Sequence, residues 1–167
     1  VPTVVIAHGW LSNQYTDINP TIRNTYLTKS DVNVIVLDWR RLALSDYATA
    51  ARGVGPSDGV YVEAIHTDGG YTVGGLGIGT NVANADFYPN GGIPQPGCYT
   101  NLCNHNRAWE FFAATVTYNH LVGRLCTTST QITWNTCRGA ELRMGNDDLR
   151  KTGSGMYRLD TAWRYPY

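Results

Sequence analysis

The chain has 167 residues, which is enough for one domain with a sizeable core. Its 13 basic and 13 acidic residues balance, so the charge predicts neither nucleic acid nor an anionic membrane surface as a partner. A hydrophobic content of 43% excludes disorder as the default, and no apolar run is long enough to span a membrane. We therefore expect an ordered globular protein without a transmembrane segment, and no pattern in the sequence calls for a cofactor.

The first third of the chain alternates between strand and helix signals. Val4–Ala7 is a short β-branched run with the character of a strand. Because the chain opens on this run without a signal-type segment, we expect a mature form or a piece of a longer protein. Thr21–Lys29 has the length and composition of a helix, and Val32–Leu37 is apolar throughout, as expected for a strand buried on both faces of a parallel sheet. The Ala-rich stretch Asp46–Arg52 predicts another helix. This order predicts an α/β protein with a β-α-β unit and a mostly parallel sheet.

The later part of the chain has fewer regular signals. Val60–His66 alternates and then becomes apolar, which predicts a third strand, and Thr67–Pro96 has the Gly, Asn and Pro content of a long loop. Ala108–Val116 has helical spacing. From Cys126 onward the sequence is polar and predicts an irregular, disulfide-bonded C-terminal part.

The four cysteines lie in two close pairs, Cys98 with Cys103 and Cys126 with Cys137. An even number of clustered cysteines favours two local disulfides and an oxidising, secreted setting. Four cysteines allow three pairings, and a zinc site is the main alternative because His105 lies close to the first pair. The near-neighbour disulfides are our prediction, and we predict no metal ligands among these residues.

Gly55–Gly59, with the sequence GPSDG, formally matches the G-x-S-x-G pattern of a nucleophile elbow. Such an elbow needs a strand before the serine and a helix after it, because the tight turn must expose the hydroxyl beside a helix N-terminus. Here a predicted helix precedes Ser57 and a predicted strand follows it, and Pro56 restricts the turn. We therefore interpret the match as accidental.

Several segments together resemble the pancreatic lipase family, with the insect lipases, phospholipases A and yolk proteins looking closest. The segments occur in family order, and the spacing of the first cysteine pair is similar to a shortened lid. They are PTVVIAHGW, VNVIVLDWRR, VEAIHTDGG, ADFYPNGGIPQPGC and CNHNRAWEFFAATV. The resemblance implies an α/β-hydrolase fold, a lipid ester as substrate or ligand, a secreted protein, and a protein partner or oligomer as a further option.

The resemblance also implies roles for individual residues. His105 in CNHNR falls on the family's catalytic histidine, and Trp10 falls where one backbone N–H of the oxyanion hole would lie. Asp58 corresponds to one acidic member of a calcium cluster seen in some relatives, without its companion ligands. The alternative for His105 is a polar residue that merely starts a helix.

The departures from the family pattern concern the catalytic centre itself. Near Gly55-Pro56 the chain joins two segments that in the family are separated by two βα units, or roughly 60 residues. The serine nucleophile, the second oxyanion donor and the triad aspartate would lie there, and strands that precede Pro2 in the family are missing too. We therefore predict that residues 1–167 form a single, incomplete lipase-like domain. Either the sequence is an incomplete record or its strands have paired into a smaller sheet.

The remaining histidines and charged residues have plainer interpretations. We expect His8 and His66 to form hydrogen bonds at buried strand ends, and His120 to lie at the surface. The segment Asp38–Arg41 is expected to anchor loops through a charge-assisted bond.

These observations leave three hypotheses for function. The protein is a secreted lipase that hydrolyses lipid esters as a longer chain, a non-catalytic storage or lipid-binding protein on the lipase scaffold, or a small disulfide-stabilised binding module. As written, the chain lacks the nucleophile, so the sequence leaves enzyme activity open and favours a catalytically incompetent form.

Overall fold

A computed structural model describes residues 1–9, 12–38, 55–70 and 74–167. The chain divides into two compact units, Val1–Gly53 and Val54–Tyr167. Trp10 and the helix predicted for Asp46–Arg52 lie outside the described residues. No helix among the described residues has both the length and the apolar character needed to cross a bilayer.

The first unit contains a parallel β-α-β arrangement, as the sequence predicts. Strand β1 (Thr3–Ala7) pairs in parallel with strand β2 (Asn33–Leu37), and helix α1 (Ile18–Lys29) connects them. The helix begins three residues earlier than predicted, so that Pro20 lies in its first turn. Proline is tolerated there because the first backbone N–H groups of a helix have no acceptor within it.

Among the described residues of the first unit, only one face of this two-stranded sheet carries buried side chains. Ile6 on the sheet and Ile22 and Tyr26 on α1 are buried, whereas Ile35 and Leu37 are 53% and 49% exposed. The prediction that Val32–Leu37 is buried on both faces is therefore wrong for the structure. Alternate residues of a strand point to opposite faces, and these two point away from the buried residues.

The second unit is built on a mixed five-stranded sheet with the strand order β3-β4-β7-β5-β6. The pairs β3–β4 and β4–β7 are parallel, and β5–β6 and β5–β7 are antiparallel. The elements in chain order are β3 (Glu63–Ile65), β4 (Ala85–Pro89), α2 (Asn101–Tyr118), β5 (Val122–Cys126), α3 (Ser129–Trp134), β6 (Glu141–Arg143) and β7 (Gly155–Leu159). Together the two units have the α/β class and the mostly parallel pairing that the sequence predicts.

The second unit has more regular structure than the sequence pattern indicates. Strand β4 lies inside the segment predicted as a loop, and β6, α3 and β7 lie in the part predicted to be irregular. β3 has only three residues instead of the seven predicted for Val60–His66. Helix α2 begins seven residues before the predicted start at Ala108 because Thr100 caps it, its hydroxyl accepting a hydrogen bond from the Cys103 N–H at 3.2 Å.

The core of the second unit lies between its sheet and α2. Phe87 on β4 stacks on Tyr157 of β7 with ring centroids 5.1 Å apart, and Phe111 of α2 is fully buried in the same cluster. The core residues of this cluster are Ala85, Phe87, Phe111, Leu121, Met144, Tyr157 and Leu159. Burial of these side chains fixes α2, and with it the first turn of that helix, on the sheet.

Both predicted disulfides are confirmed. Cys98 is bonded to Cys103, and Cys126 is bonded to Cys137. The zinc alternative is excluded for these cysteines, because a sulfur in a disulfide is not available as a thiolate ligand. Over the described ranges, no group of three His, Cys, Asp or Glu side chains is arranged to hold a metal ion.

Candidate functional site

His105 lies in the second turn of α2, directly after the short disulfide loop between Cys98 and Cys103. The residue is exposed, and its ring meets the glycine-rich segment 74–79: a Cβ on Gly77 would lie 3.6 Å from His105 Nδ1. Asn101, one turn earlier, donates a hydrogen bond to the Gly74 carbonyl at 2.8 Å. The site is therefore formed where the start of α2 meets this segment.

His105 is suited to accept a proton at neutral pH. Partial burial lowers the pKa of its imidazole, and the Asp68 carboxylate acts in the opposite direction. The backbone N–H groups at the start of α2 favour the neutral ring as well. Within the part of the chain that the structure describes, the ring makes no hydrogen bond. A neutral imidazole at the surface is the state in which histidine serves as a general base.

A buried glutamine network, which the sequence analysis did not find, holds the start of α2 against the sheet. The Gln95 amide donates to the Thr67 carbonyl at 3.1 Å and to the Pro89 carbonyl at 3.0 Å, at the ends of β3 and β4. The Gln95 backbone N–H donates to the Asn104 side chain at 2.8 Å. Because Asn104 precedes His105, this network fixes the position of the imidazole. In the sequence, Gln95 is a single glutamine between two prolines inside the segment predicted as a long loop, and no local pattern marks it as buried.

A buried His–Asp pair lies nearby, but neither of its ring nitrogens is available. His66 Nε2 is 2.8 Å from Asp86 Oδ1, and its Nδ1 is 2.7 Å from the Ile78 carbonyl oxygen. The ring stacks on Tyr88 at a centroid distance of 4.6 Å. Each ring nitrogen is therefore already engaged by an oxygen atom. The expected structural role of His66 is confirmed, and this pair is not a general base.

His8 in the first unit has the same arrangement. It is buried at the end of β1, with Nε2 3.0 Å from Asp38 Oδ1 and Nδ1 2.9 Å from the Gly9 carbonyl oxygen. Asp38 directly follows β2, and the carboxyl ends of parallel strands meet at one edge. This bond agrees with the anchoring role expected for Asp38, while residues 39–41 lie outside the described residues.

Ser57 lies in an exposed turn that precedes β3 by several residues. Bends and then β3 follow it, so the helix required after an elbow serine is not found here, and no hydrogen bond joins Ser57 to His105 among the described residues. The Asp58 carboxylate closes the turn by accepting the Gly55 N–H at 2.6 Å. Calcium needs six to eight oxygen ligands, and among the described residues the exposed Asp58 carboxylate is engaged in its own turn and belongs to no cluster of ligands. The oxyanion role expected for Trp10 falls on a residue outside the described ranges.

Exposed apolar residues lie before His105 in a part of the sequence with few charges. Between Gly74 and Asn104 the sequence has one charged residue, Asp86, and it is buried. We use the term apolar rim for Leu76, Ile93, Tyr99 and Leu102, all of which are large, hydrophobic and exposed. Leu102 is one turn before His105 on α2, and Leu76 is next to Gly77. The histidine therefore faces solvent beside apolar, uncharged surface.

Comparison with known proteins matches the part of the chain that contains this site. The model of the family described as Lipase matches residues 50–146, more than half of the chain. Pancreatic triacylglycerol lipase of Mus musculus is 34% identical over 104 residues, covering 49% of this chain and 22% of the relative. The Homo sapiens protein of that name is 33% identical over 104 residues with the same coverage. Pancreatic lipase-related protein 2 of Cavia porcellus is 42% identical over 64 residues, covering 36% of this chain and 15% of the relative.

The chain spans about a fifth of the length of these curated relatives, between 15% and 22%. The family match includes His105, the apolar rim and the first disulfide, and extends past the second. On the strength of this match over most of the second unit, the chain belongs to the pancreatic lipase family.

Proposed function

We propose that this protein is a secreted member of the lipase family that binds lipid carboxylic esters at the apolar rim around His105, without hydrolysing them through a serine triad in this form. The observation that supports it is the position of His105. Its imidazole is favoured as a neutral ring, and it lies beside exposed apolar side chains in a stretch whose one charge is buried. An ester bound there would meet apolar surface and a proton acceptor together.

The proposed loss of catalysis rests on the nucleophile. A serine hydroxyl needs a base within hydrogen-bond reach and donors aimed at the oxyanion. Among the described residues, Ser57 has no bond to His105, and it lies on an exposed turn closed by Asp58. We propose that residues 1–167 are a single lipase-like domain with an internal deletion near Gly55-Pro56. The boundary of the two compact units, after Gly53, falls within a few residues of that junction and supports the position of the deletion.

The proposed extracellular location rests on the two disulfides, since such bonds persist in oxidising compartments. The relatives are named as pancreatic lipases, which agrees with a lipid ester as the ligand.

A catalytic form on a longer chain is the second candidate, and the retained His105 favours it. The two candidates differ in one measurement. Ester turnover that is lost in His105→Gln and kept in His120→Gln would support the hydrolase, whereas the binding or storage protein gives no turnover in any of the three proteins. His120 is a suitable control because it is an exposed histidine whose Nε2 contacts the Pro166 carbonyl oxygen, away from the rim.

Binding at the apolar rim is tested with neutral phosphatidylcholine vesicles that contain a triacylglycerol. We expect the wild-type chain to sediment with these vesicles and Leu102→Ser to lose about tenfold in apparent affinity, since Leu102 is 61% exposed and would bury its side chain in the lipid. Leu149→Ser is the matched control, because Leu149 is 69% exposed in the same unit but lies outside the rim. Equal affinity of all three proteins, or no sedimentation at all, would overturn the proposed binding surface.

A further inference from the structure

Asp68 lies three residues after β3 and is almost fully buried. Its carboxylate oxygen Oδ2 accepts a hydrogen bond from the Leu76 N–H at 2.7 Å, and its backbone carbonyl accepts one from the Gly77 N–H at 3.0 Å. Both bonds fold the segment 74–79 back onto the residues that follow β3. Asp68 therefore holds the middle of this segment, while Asn101 and His66 bond the Gly74 and Ile78 carbonyls near its ends.

The close fit of the segment depends on glycine. A Cβ on Gly75 would lie 2.3 Å from the Asp68 carbonyl oxygen, closer than real Cβ contacts, so a larger residue there would push the segment away. Gly77 separates Asp68 from the histidine: its Cβ position is 3.3 Å from the Asp68 carbonyl oxygen and 3.6 Å from His105 Nδ1. The Asp68 backbone carbonyl and the imidazole are thus both close to one glycine.

The residue before Asp68 holds His105 from its backbone side. The Thr67 hydroxyl donates to the His105 carbonyl oxygen at 3.3 Å, while Thr67 itself is tied to Gln95. Thr67 therefore contacts the backbone of His105, whereas Asp68 contacts the glycine segment that lies beside the ring.

The other charged side chains near His105 are paired with partners of their own, and the Asp68 carboxylate acts on the His105 ring. Arg107 on the same helix is paired with Glu110, and His66, two residues before Asp68, is paired with Asp86. Burial lowers the pKa of His105, and the Asp68 carboxylate raises it. No hydrogen bond joins the two side chains in that part of the chain, so the carboxylate acts through space.

We propose that Asp68 is the positioning residue of His105: it fixes the glycine segment against the imidazole and supplies the negative charge that balances the ring when it takes up a proton. The inference rests on the proposed function in that it gives the base of the site a carboxylate, although the triad aspartate of the family is missing from this sequence. In a triad, a carboxylate bonded to Nδ1 orients the base and stabilises the imidazolium. Here Asp68 orients the ring through the segment that contains Gly77, and its charge stabilises the imidazolium without a hydrogen bond.

The test is a carbon-13 NMR titration of the four histidine rings in the whole chain. In Asp68→Asn the amide oxygen can still accept the Leu76 N–H, but the charge is lost, so the titration midpoint of His105 should fall by about 0.5. Asp148→Asn removes an exposed carboxylate elsewhere and should leave that midpoint unchanged. Thr67→Val should leave it unchanged as well, because it removes a hydrogen bond and no charge.

An unchanged His105 midpoint in a folded Asp68→Asn protein overturns the proposal. If that variant does not fold, the reciprocal measurement replaces it, because coupling between two sites acts equally on both. His105→Gln should then move the titration of the Asp68 carboxyl carbon to higher pH, and no movement would overturn the proposal too. Both readouts come from the free protein, so failure of vesicle binding would remove the proposed function without touching this result.

Discussion

The histidines differ in what their ring nitrogens contact, and this difference determines which of them can still accept a proton from another group. His8 and His66 each place one nitrogen on a carboxylate and the other on a backbone carbonyl. His105 has neither contact among the described residues, and burial lowers its pKa. A histidine whose two ring nitrogens both contact protein oxygens stabilises the fold. A histidine that is neutral and exposed can instead accept a proton.

The lowered pKa of His105 predicts how stability depends on pH. The unfolded chain takes up a proton near pH 6.5, before the folded chain does, so the wild type loses stability relative to His105→Gln as the pH falls from 7.5 to 5. Urea unfolding of both proteins measures this difference. Between pH 7.5 and 8.5, where neither state is protonated, the difference should be constant. A relative gain in wild-type stability at acid pH would contradict the direction of the shift.

The helix that presents His105 depends on its first turn. Thr100 accepts the Cys103 N–H, the Cys98–Cys103 disulfide closes the loop before it, and Gln95 binds Asn104. These contacts come from residues that precede the apolar stretch from which the helix was predicted. An amphipathic pattern reports the buried face of a helix, whereas its start is set by caps and tertiary bonds.

We expect Thr100→Ala to lower the free energy of unfolding by about 1 kcal/mol, the usual loss for a threonine N-cap. The measurement is urea unfolding followed by circular dichroism. Thr130→Ala is the control, because Thr130 is exposed inside α3 and its replacement should change stability by less than about 0.5 kcal/mol. Equal losses in the two variants would show that the cap hydrogen bond does not stabilise α2.

The distinction between local sequence patterns and tertiary contacts also explains which elements the sequence predicts. β1, α1 and β2 follow from local apolar runs, and both disulfides follow from spacing. β4 is not predicted from the sequence because its buried residues include Asp86 and Pro89, which are poor strand formers. Asp86 is accommodated because His66 and the Val82 N–H bond its carboxylate. β4 therefore forms because of tertiary contacts, which a local sequence pattern does not contain.

The second unit is closed by a buried ion pair between Glu63 at the start of β3 and Lys151 near the C-terminus. The two side chains are only 13% and 10% exposed and are in direct contact. Lys151 Nζ also donates to the Arg143 carbonyl at 3.0 Å, and Glu63 accepts the Tyr61 hydroxyl at 2.8 Å. Burial raises the pKa of Tyr61, and the Glu63 carboxylate raises it further. This network links the first strand of the sheet to the segment before its last strand.

Removing one partner of this pair should be costly for the whole unit. We expect Lys151→Met to lower the free energy of unfolding by about 3 kcal/mol, because it leaves a buried carboxylate without its cation. Arg124→Met is the matched control, since Arg124 and Glu141 form an exposed pair whose loss should cost less than about 1 kcal/mol. Chemical denaturation of both variants measures the contrast, and similar losses would contradict a buried role for the Glu63–Lys151 pair.

At the scale of the whole molecule, the family could be predicted from short motifs in order, but the support of the site could not. His105 stood out because it lies in one of those motifs. Gln95 and Asp68 lay in quoted motifs as well, yet their roles depend on contacts to Asn104 and Leu76 that only the fold brings about. The sequence therefore singles out His105 as the candidate base, and the structure shows which residues hold its surroundings.

The central claim is that the chain keeps a base at His105 without an activated serine. The most direct test is the intact mass of the purified protein after exposure to a fluorophosphonate, with an active serine esterase treated alongside. We predict that the protein remains at its unmodified mass of 18.4 kDa while the esterase is fully labelled. A stoichiometric adduct that peptide mapping assigns to Ser57 would contradict the claim and identify the protein as a working esterase.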